Sequence, residues 1–223
     1  MEPDLLTHPL TYSLRCPGCS STLRRESPPN STRHLVCVAC GVQYGVKGRV
    51  LDLAPPSAGQ QFLDESEQWD AQAERYEEQR GIDPIYMAGV KAAVRALGVV
   101  RGLTLLDAGC GTGMATRILM ASGAMVAALD ASVTSLNLLD QNTDGQTAIR
   151  VRGDLTRLPF ASCVFDHVLC ANAIQQVSCP ADRLAIVSEL ARVTKPGGRV
   201  VVSAHAFSIR KRRSGWAKEG PAG

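Results

Sequence analysis

Two sets of residues in this chain have the types and spacing to do chemistry. The first is four cysteines in two pairs, Cys16-Pro17-Gly18-Cys19 and Cys37-Val38-Ala39-Cys40, separated by residues 20–36. That spacing matches a structural metal site. Two such knuckles can set four thiolates tetrahedrally around Zn2+. The second set is Asp107-Ala108-Gly109-Cys110-Gly111-Thr112-Gly113, which closes the apolar run Leu103-Thr104-Leu105-Leu106. Glycines at alternate positions let a backbone turn sharply and approach a ligand closely, because no Cβ intervenes. A strand, a glycine loop and a helix start in succession build the nucleotide crevice of an open α/β sheet.

The loop does not fit the dinucleotide fingerprint, which needs glycine at the first, third and sixth places. Counted from Gly109 the sixth place is Met114, and counted from Gly111 it is Thr116. No Gly-Lys-Ser or Gly-Lys-Thr follows, so the Walker pattern fails too. The cysteine pairs have rival readings as two disulfides or as a redox motif. Disulfides conflict with the N-terminus Met-Glu-Pro-Asp, which lacks the basic and apolar regions of a secretory signal. A redox pair would open a helix in a thioredoxin-like pattern, which is missing. His8 and His34 are substitute ligands by position, although a lone nearby histidine is more often a solvated loop residue. Cys110, Cys163, Cys170 and Cys179 are scattered and read as buried thiols.

The elements that must position these residues are those of an α/β domain with a small appendage. The chain has 223 residues, 45% of them apolar and 20% charged, enough for one such domain with ample core material. A net charge of +3 is too slight to name a nucleic-acid partner. No apolar run reaches the length of a membrane span, and the expected location is cytoplasmic.

From Leu103 strands and helices alternate, the mark of a parallel sheet. The expected strands are 103–107, 125–129, 148–152, 164–171 and 199–204, with helices near 113–122 and 181–194. Asp107, Asp130, Asp154 and Asn172 stand at the carboxyl ends of four successive strands. In an open α/β sheet that edge binds ligands. Any one of the four reads equally well as a turn or capping residue; it is the regular recurrence that points to a site. Asp130 lies about one βα unit beyond the glycine loop, where a carboxylate can take both ribose hydroxyls.

Upstream, residues 1–14 read as an extended lead-in, and 35–37 and 43–53 as short ribbon strands. So small a region buries little core, and a metal would be its main staple. Ala54-Pro55-Pro56-Ser57-Ala58-Gly59 reads as a linker. Residues 61–80 form a helical pattern with Phe62, Trp69, Ala73 and Tyr76 on one face, either a cover helix or a lid over a ligand. Asp83-Pro84 starts a further helix carrying Ile85, Val90, Val94 and Leu97.

The pattern Asp107-x-Gly109-x-Gly111-x-Gly113 resembles motif I of class I S-adenosylmethionine-dependent methyltransferases. In that family an acid ending the second strand binds ribose, matched by Asp130. An Asp after the third strand meets the adenine amine, matched by Asp154, with Leu155 packing near the ring. Leu158-Pro159-Phe160, Phe165-Asp166 and Lys195-Pro196-Gly197-Gly198 resemble the family's segments entering the fourth and fifth strands. The cysteine region resembles the zinc ribbon of 23S rRNA guanine-N1 methyltransferases and of Trm112-type activators.

The resemblance implies a Rossmann-like methyltransferase sheet at 62–207, behind a zinc-ribbon domain at 1–54 and a linker at 55–61, with a basic, disordered tail at 208–223. It implies S-adenosylmethionine at Asp107, Gly109, Gly111, Gly113, Asp130, Asp154, Leu155 and Asn172, and Zn2+ at Cys16, Cys19, Cys37 and Cys40. It implies methyl transfer, with a base in RNA as acceptor on account of the ribbon. The alternatives are a small-molecule enzyme of the ubiquinone-biosynthesis type and an impaired ribbon-bearing binding protein. No residue is singled out as a catalytic base. After the fourth strand the chain reads Ala171-Asn172-Ala173-Ile174-Gln175-Gln176, not the Asn-Pro-Pro-Tyr of exocyclic-amine enzymes; Asn172, Gln175 and Gln176 are candidate contacts to substrate or to the methionine moiety. The family closes its sheet with a final hairpin for which residues 205–223 offer no strand pair. The expectation is therefore a sheet of about five parallel strands, weak cofactor binding and low activity, as in a shortened form, a fragment or a decayed enzyme.

Overall fold

The computed structural model describes residue 6 and residues 8–26, 34–55, 60–141 and 148–204. The N-terminal region holds β1 (Leu23–Glu26), β2 (His34–Cys37), β3 (Gln43–Tyr44), β4 (Val46–Lys47) and β5 (Val50–Asp52). Two helices follow, α1 (Gln60–Gly81) and α2 (Pro84–Ala96). The alternating part comprises β6 (Thr104–Ala108), α3 (Met114–Ala121), β7 (Met125–Asp130), α4 (Val133–Gln141), β8 (Ile149–Arg152), β9 (Phe165–Ala171), α5 (Pro180–Val193) and β10 (Thr194–Ser203). Asp83 starts α2 as its sequence suggests: its carboxylate accepts the N–H groups of Ile85 and Tyr86 at 3.0 and 3.1 Å, with proline at the first helical position.

The large sheet runs β10-β9-β6-β7-β8-β5-β4. The five parallel strands expected from the sequence are all in it. The sheet does not stop at five, and here the expectation is corrected. A sixth strand, β5, pairs in parallel with β8 (Leu51 beside Val151, Asp52 beside Arg152), and a seventh, β4, pairs antiparallel with β5. Both come from the stretch read as ribbon. The reason is burial: Val50, Leu51 and Leu53 are no more than 1% exposed, and their hairpin covers what would be a bare edge of β8. The separate three-stranded sheet β1-β2-β3 carries the cysteines, and only Gly45 lies between β3 and β4.

The lead-in is corrected as well. A helical turn at Pro9–Ser13 buries Leu10, and Leu6 and Leu14 are buried beside it. Leu14 bridges Phe160, and Arg15 N–H donates to the Pro159 carbonyl at 2.9 Å. The core lies on both faces of the sheet. One layer joins these leucines to Phe160, Phe165, Ile186 and Leu190, and the other packs α2 and α3 against Leu105, Val126 and Leu169. At the far edge β10 pairs with β9 in regular register from Arg199 to Ser203, with Val200 and Val202 exposed. The expected tail at 208–223 lies outside the described residues. Among the described residues no helix is long and apolar enough to cross a membrane.

Candidate functional site

β6 brings Asp107 to the carboxyl edge of the sheet, and the chain turns there on three glycines of positive φ, Gly109, Gly111 and Gly113. They serve different ends. A Cβ at Gly109 would sit 2.4 Å from Ala173 Cβ, so glycine lets this loop meet the loop after β9. A Cβ at Gly113 would lie 2.1 Å from Leu139 Cδ1, a packing constraint at the start of α3. A Cβ at Gly111 would meet nothing within 4 Å. Gly111 faces open space on the wall of a cavity of about 670 Å3, a volume typical of small-ligand sites.

The cavity gathers most of the residues expected from the sequence. Asp107, Gly109, Gly111, Asp130, Asp154, Leu155 and Asn172 all line it; Gly113 does not. Asp130 holds the loop in place. Its Oδ2 accepts the Gly111 N–H at 2.8 Å and its Oδ1 accepts the Ser132 N–H at 2.9 Å. A carboxylate offers about four lone-pair sites, so these two bonds do not exhaust its capacity to accept from a ligand. Asp107 is buried and accepts the Thr116 hydroxyl at 2.6 Å. Burial raises its pKa from the ordinary 3.8 to about 6, against the pull of that hydroxyl, and the neighbouring Asp130 charge adds to the rise. Burial raises Asp130 as well, opposed by the backbone N–H groups it accepts. Asp154 Oδ1 accepts both the N–H and the hydroxyl of Thr156 at 2.8 Å, so one of its oxygens shapes the turn. Asn172 has φ +58, a left-handed conformation uncommon outside glycine that recurs at functional sites. Gln176 lines the cavity beside it, while the Gln175 amide turns back to the Asn172 carbonyl at 3.0 Å.

Helix α1 forms the opposite wall with Phe62, Gln68, Trp69, Ala73 and Tyr76. This is the position expected of a cover or lid. The Tyr76 and Tyr86 hydroxyls are 2.6 Å apart, tying α1 to α2. Asp70 ties α1 to α4: its Oδ1 accepts the Thr134 N–H at 2.9 Å and the Ser132 hydroxyl at 2.6 Å, capping α4 from another helix. Sequence reasoning missed Asp70, Tyr86 and Ser178, the last two of which line the cavity. An acid among the eight along residues 64–83 carries no local sign that it caps a distant helix.

The four cysteines converge. The sulfur atoms of Cys16, Cys19, Cys37 and Cys40 all lie within 4.8 Å of one another, the one such group among the described residues. Cys16 and Cys40 are 3.7 Å apart and Cys19 and Cys37 3.4 Å. A tetrahedron with Zn–S near 2.3 Å has edges of about 3.8 Å, so the set fits zinc. The Cys40 N–H points at Cys37 Sγ at 3.5 Å, a donor suited to a thiolate. His8 accepts the Leu10 N–H and His34 faces Glu26, so neither joins the set.

Residues 106–202 match a family model described as a methyltransferase domain. Over these residues, somewhat under half of the chain, the sequence is similar to a methyltransferase domain. Demethylmenaquinone methyltransferase from Mycobacterium sp. strain KMS is 43% identical over 107 residues, which are 48% of this chain and 44% of that protein. The chain thus matches less than half the length of this relative. A chain in the complex between the Haloferax volcanii Trm112 methyltransferase activator and a methyltransferase is 26% identical, with TM-score 0.52 over 63% of this chain and 59% of that one. Magnesium protoporphyrin IX methyltransferase from Synechocystis PCC 6803 with bound S-adenosylmethionine is 21% identical, with TM-score 0.55 over 70% and 85% of the two chains; that likeness concerns fold alone. The glycine loop, Asp130 and Asp154 fall inside the matched residues, whereas α1 and the cysteine ribbon fall outside them.

Proposed function

We propose that the cavity binds S-adenosylmethionine and that the chain transfers its methyl group to an uncharged small molecule. The observation that carries the reading is the convergence of Asp107, Gly111, Asp130, Asp154 and Asn172 on one cavity at the carboxyl edge of the sheet. When bound, S-adenosylmethionine supplies a sulfonium methyl group for in-line displacement. Asp130 would take the ribose hydroxyls on its remaining acceptor capacity, Asp154 the adenine amine, and Leu155 one face of the ring, while the Gly111 backbone admits the ligand closely. Positioning of this kind supplies much of the rate in a displacement reaction. The four cysteines would hold Zn2+ as a structural ion.

The acceptor reading rests on two facts. The demethylmenaquinone methyltransferases that the chain resembles act, by name, on a small molecule. The described cavity lining contains Asp64, Glu65, Asp107, Asp130 and Asp154 and no Lys, Arg or His. Such a surface favours a cationic or neutral ligand and repels phosphates. An RNA acceptor is the reading that the ribbon's resemblance supports, and a protein partner is suggested by the activator complex among the structural neighbours. Calorimetry with S-adenosylmethionine and its demethylated product tests the cofactor. Transfer of labelled methyl groups into an organic-solvent extract rather than into RNA tests the acceptor. Absence of cofactor binding overturns the first reading, and label confined to RNA overturns the second.

A further inference from the structure

One side chain joins the β4–β5 hairpin to the cavity edge. Arg152 ends β8, and its side chain is 13% exposed. Its guanidinium reaches three elements at once. Nη1 donates to Asp52 of β5 at 3.3 and 3.4 Å, Nη2 donates to Ser66 Oγ of α1 at 3.1 Å, and Nε donates to the Ala131 carbonyl at 3.1 Å. Ser66 Oγ, itself buried, donates to the same carbonyl at 2.9 Å. The guanidinium also sits 5.7 Å from the centroid of the Phe62 ring. Phe62, Asp130 and Ala131 line the cavity, whereas Arg152, Ser66 and Asp52 do not. Burial opposes ionisation of Asp52, and Lys47 and Arg152 more than offset it, holding its pKa below the usual carboxylate value. A planar fork of five donors suits this task, since it fixes direction as well as charge.

The link runs back to the cysteines along the chain. The Tyr44 hydroxyl lies 3.1 Å from Cys16 Sγ, and Gly45, next in sequence, accepts the Asp52 N–H at 3.0 Å. β4 and β5 follow at once. The hairpin that completes the sheet is thus the same segment that leaves the metal knuckles and presents Asp52.

We propose that Arg152 is a positioning residue that couples the β4–β5 hairpin to cofactor affinity: Asp52 of the hairpin holds the guanidinium, and the guanidinium holds the Asp130–Ala131 turn and the start of α1. This rests on the proposed binding of S-adenosylmethionine. A mutant cycle measures this coupling.

The test titrates S-adenosylmethionine into the 223-residue, zinc-loaded chain and follows heat together with Trp69 fluorescence, in a Trp216→Phe background. Asp52→Ala removes a group outside the cavity and is expected to weaken binding by about three- to tenfold, toward the low end of the coupling between groups that share a network. Asp52→Asn keeps an acceptor and should recover part of that loss. Lys47→Ala removes the other, more exposed partner of Asp52 and should leave affinity within about twofold. Arg152→Lys should weaken binding, and adding Asp52→Ala to it should cost less than it does alone. Unchanged affinity in a folded Asp52→Ala chain, or effects that simply add, overturns the proposal. Where Arg152→Lys does not fold, the Asp52 pair and the Lys47 control decide it. A wild-type chain that binds no S-adenosylmethionine overturns the cofactor reading instead.

Discussion

Asp130 gives the sharpest test of the cavity. Its two oxygens accept one backbone N–H each, from Gly111 at 2.8 Å and from Ser132 at 2.9 Å. The proposed ribose bonds add two hydrogen bonds to a charged acceptor, each worth about 1.5–3 kcal/mol. Taken at the lower figure, Asp130→Ala loses about 3 kcal/mol of binding, roughly a hundredfold in Kd. The same change strands the Gly111 and Ser132 N–H groups, at about 1–3 kcal/mol each where they stay buried, though removing a desolvated carboxylate offsets part of that. Lost affinity in Asp130→Ala therefore has a second source, a collapsed glycine loop. Asp130→Asn separates the two effects, because its amide oxygen can still accept one backbone N–H while the charge is gone. We expect it to melt closer to wild type than Asp130→Ala and still to bind S-adenosylmethionine at least tenfold more weakly, about 1.4 kcal/mol. Calorimetry and thermal melts read both. A folded Asp130→Ala chain that binds within twofold of wild type would refute the ribose assignment.

Four further outcomes follow from the same geometry. The raised pKa of Asp107, about 6, means that the folded state holds this proton more tightly than the unfolded chain does. Its stabilising contribution is full below the ordinary value of 3.8 and is lost as pH rises through 6, so thermal melts across that window should converge with those of Asp107→Asn at the acid end and lie below them at pH 7. Asp70→Ala removes the cap that α1 places on α4 and should cost about 1–2 kcal/mol of stability, read by denaturant titration; no change in midpoint would contradict the capping role. The two loop glycines should separate: Gly113→Ala, blocked by Leu139, should lower the melting temperature more, with little direct effect on the ligand, whereas Gly111→Ala, strained at φ +52 but free of clash, should cost less stability and weaken S-adenosylmethionine binding. Metal analysis should find close to one zinc per chain, lost in Cys37→Ser together with ordered near-ultraviolet signal from the ribbon; an ordered ribbon without metal would count against the zinc assignment.

The alternation of strands and helices from residue 103 onward was legible in the sequence, and so were the glycine loop, the acids at the strand ends and the cysteine knuckles. These are local signals: period, turn chemistry and fixed spacing act within a few residues, and the chain carries them wherever it folds. The edge of the sheet was not legible. Residues 43–53 read as ribbon because they follow a knuckle, yet Val50, Leu51 and Leu53 are buried against β8 about a hundred residues away in sequence. An apolar hairpin says that it will be covered, not by what. The division of labour among the glycines was hidden for the same reason. Gly109, Gly111 and Gly113 are equivalent in the pattern, and only the approach of Ala173 to one and Leu139 to another distinguishes packing from ligand access. Asp70, Ser66 and Arg152 carried no local mark at all, since a polar residue on a helix or at a strand end is ordinarily solvated. Their roles exist only where α1, α4, β5 and β8 meet, because a hydrogen bond is set by the three-dimensional place of its partner, which the spacing of residues along one element does not encode.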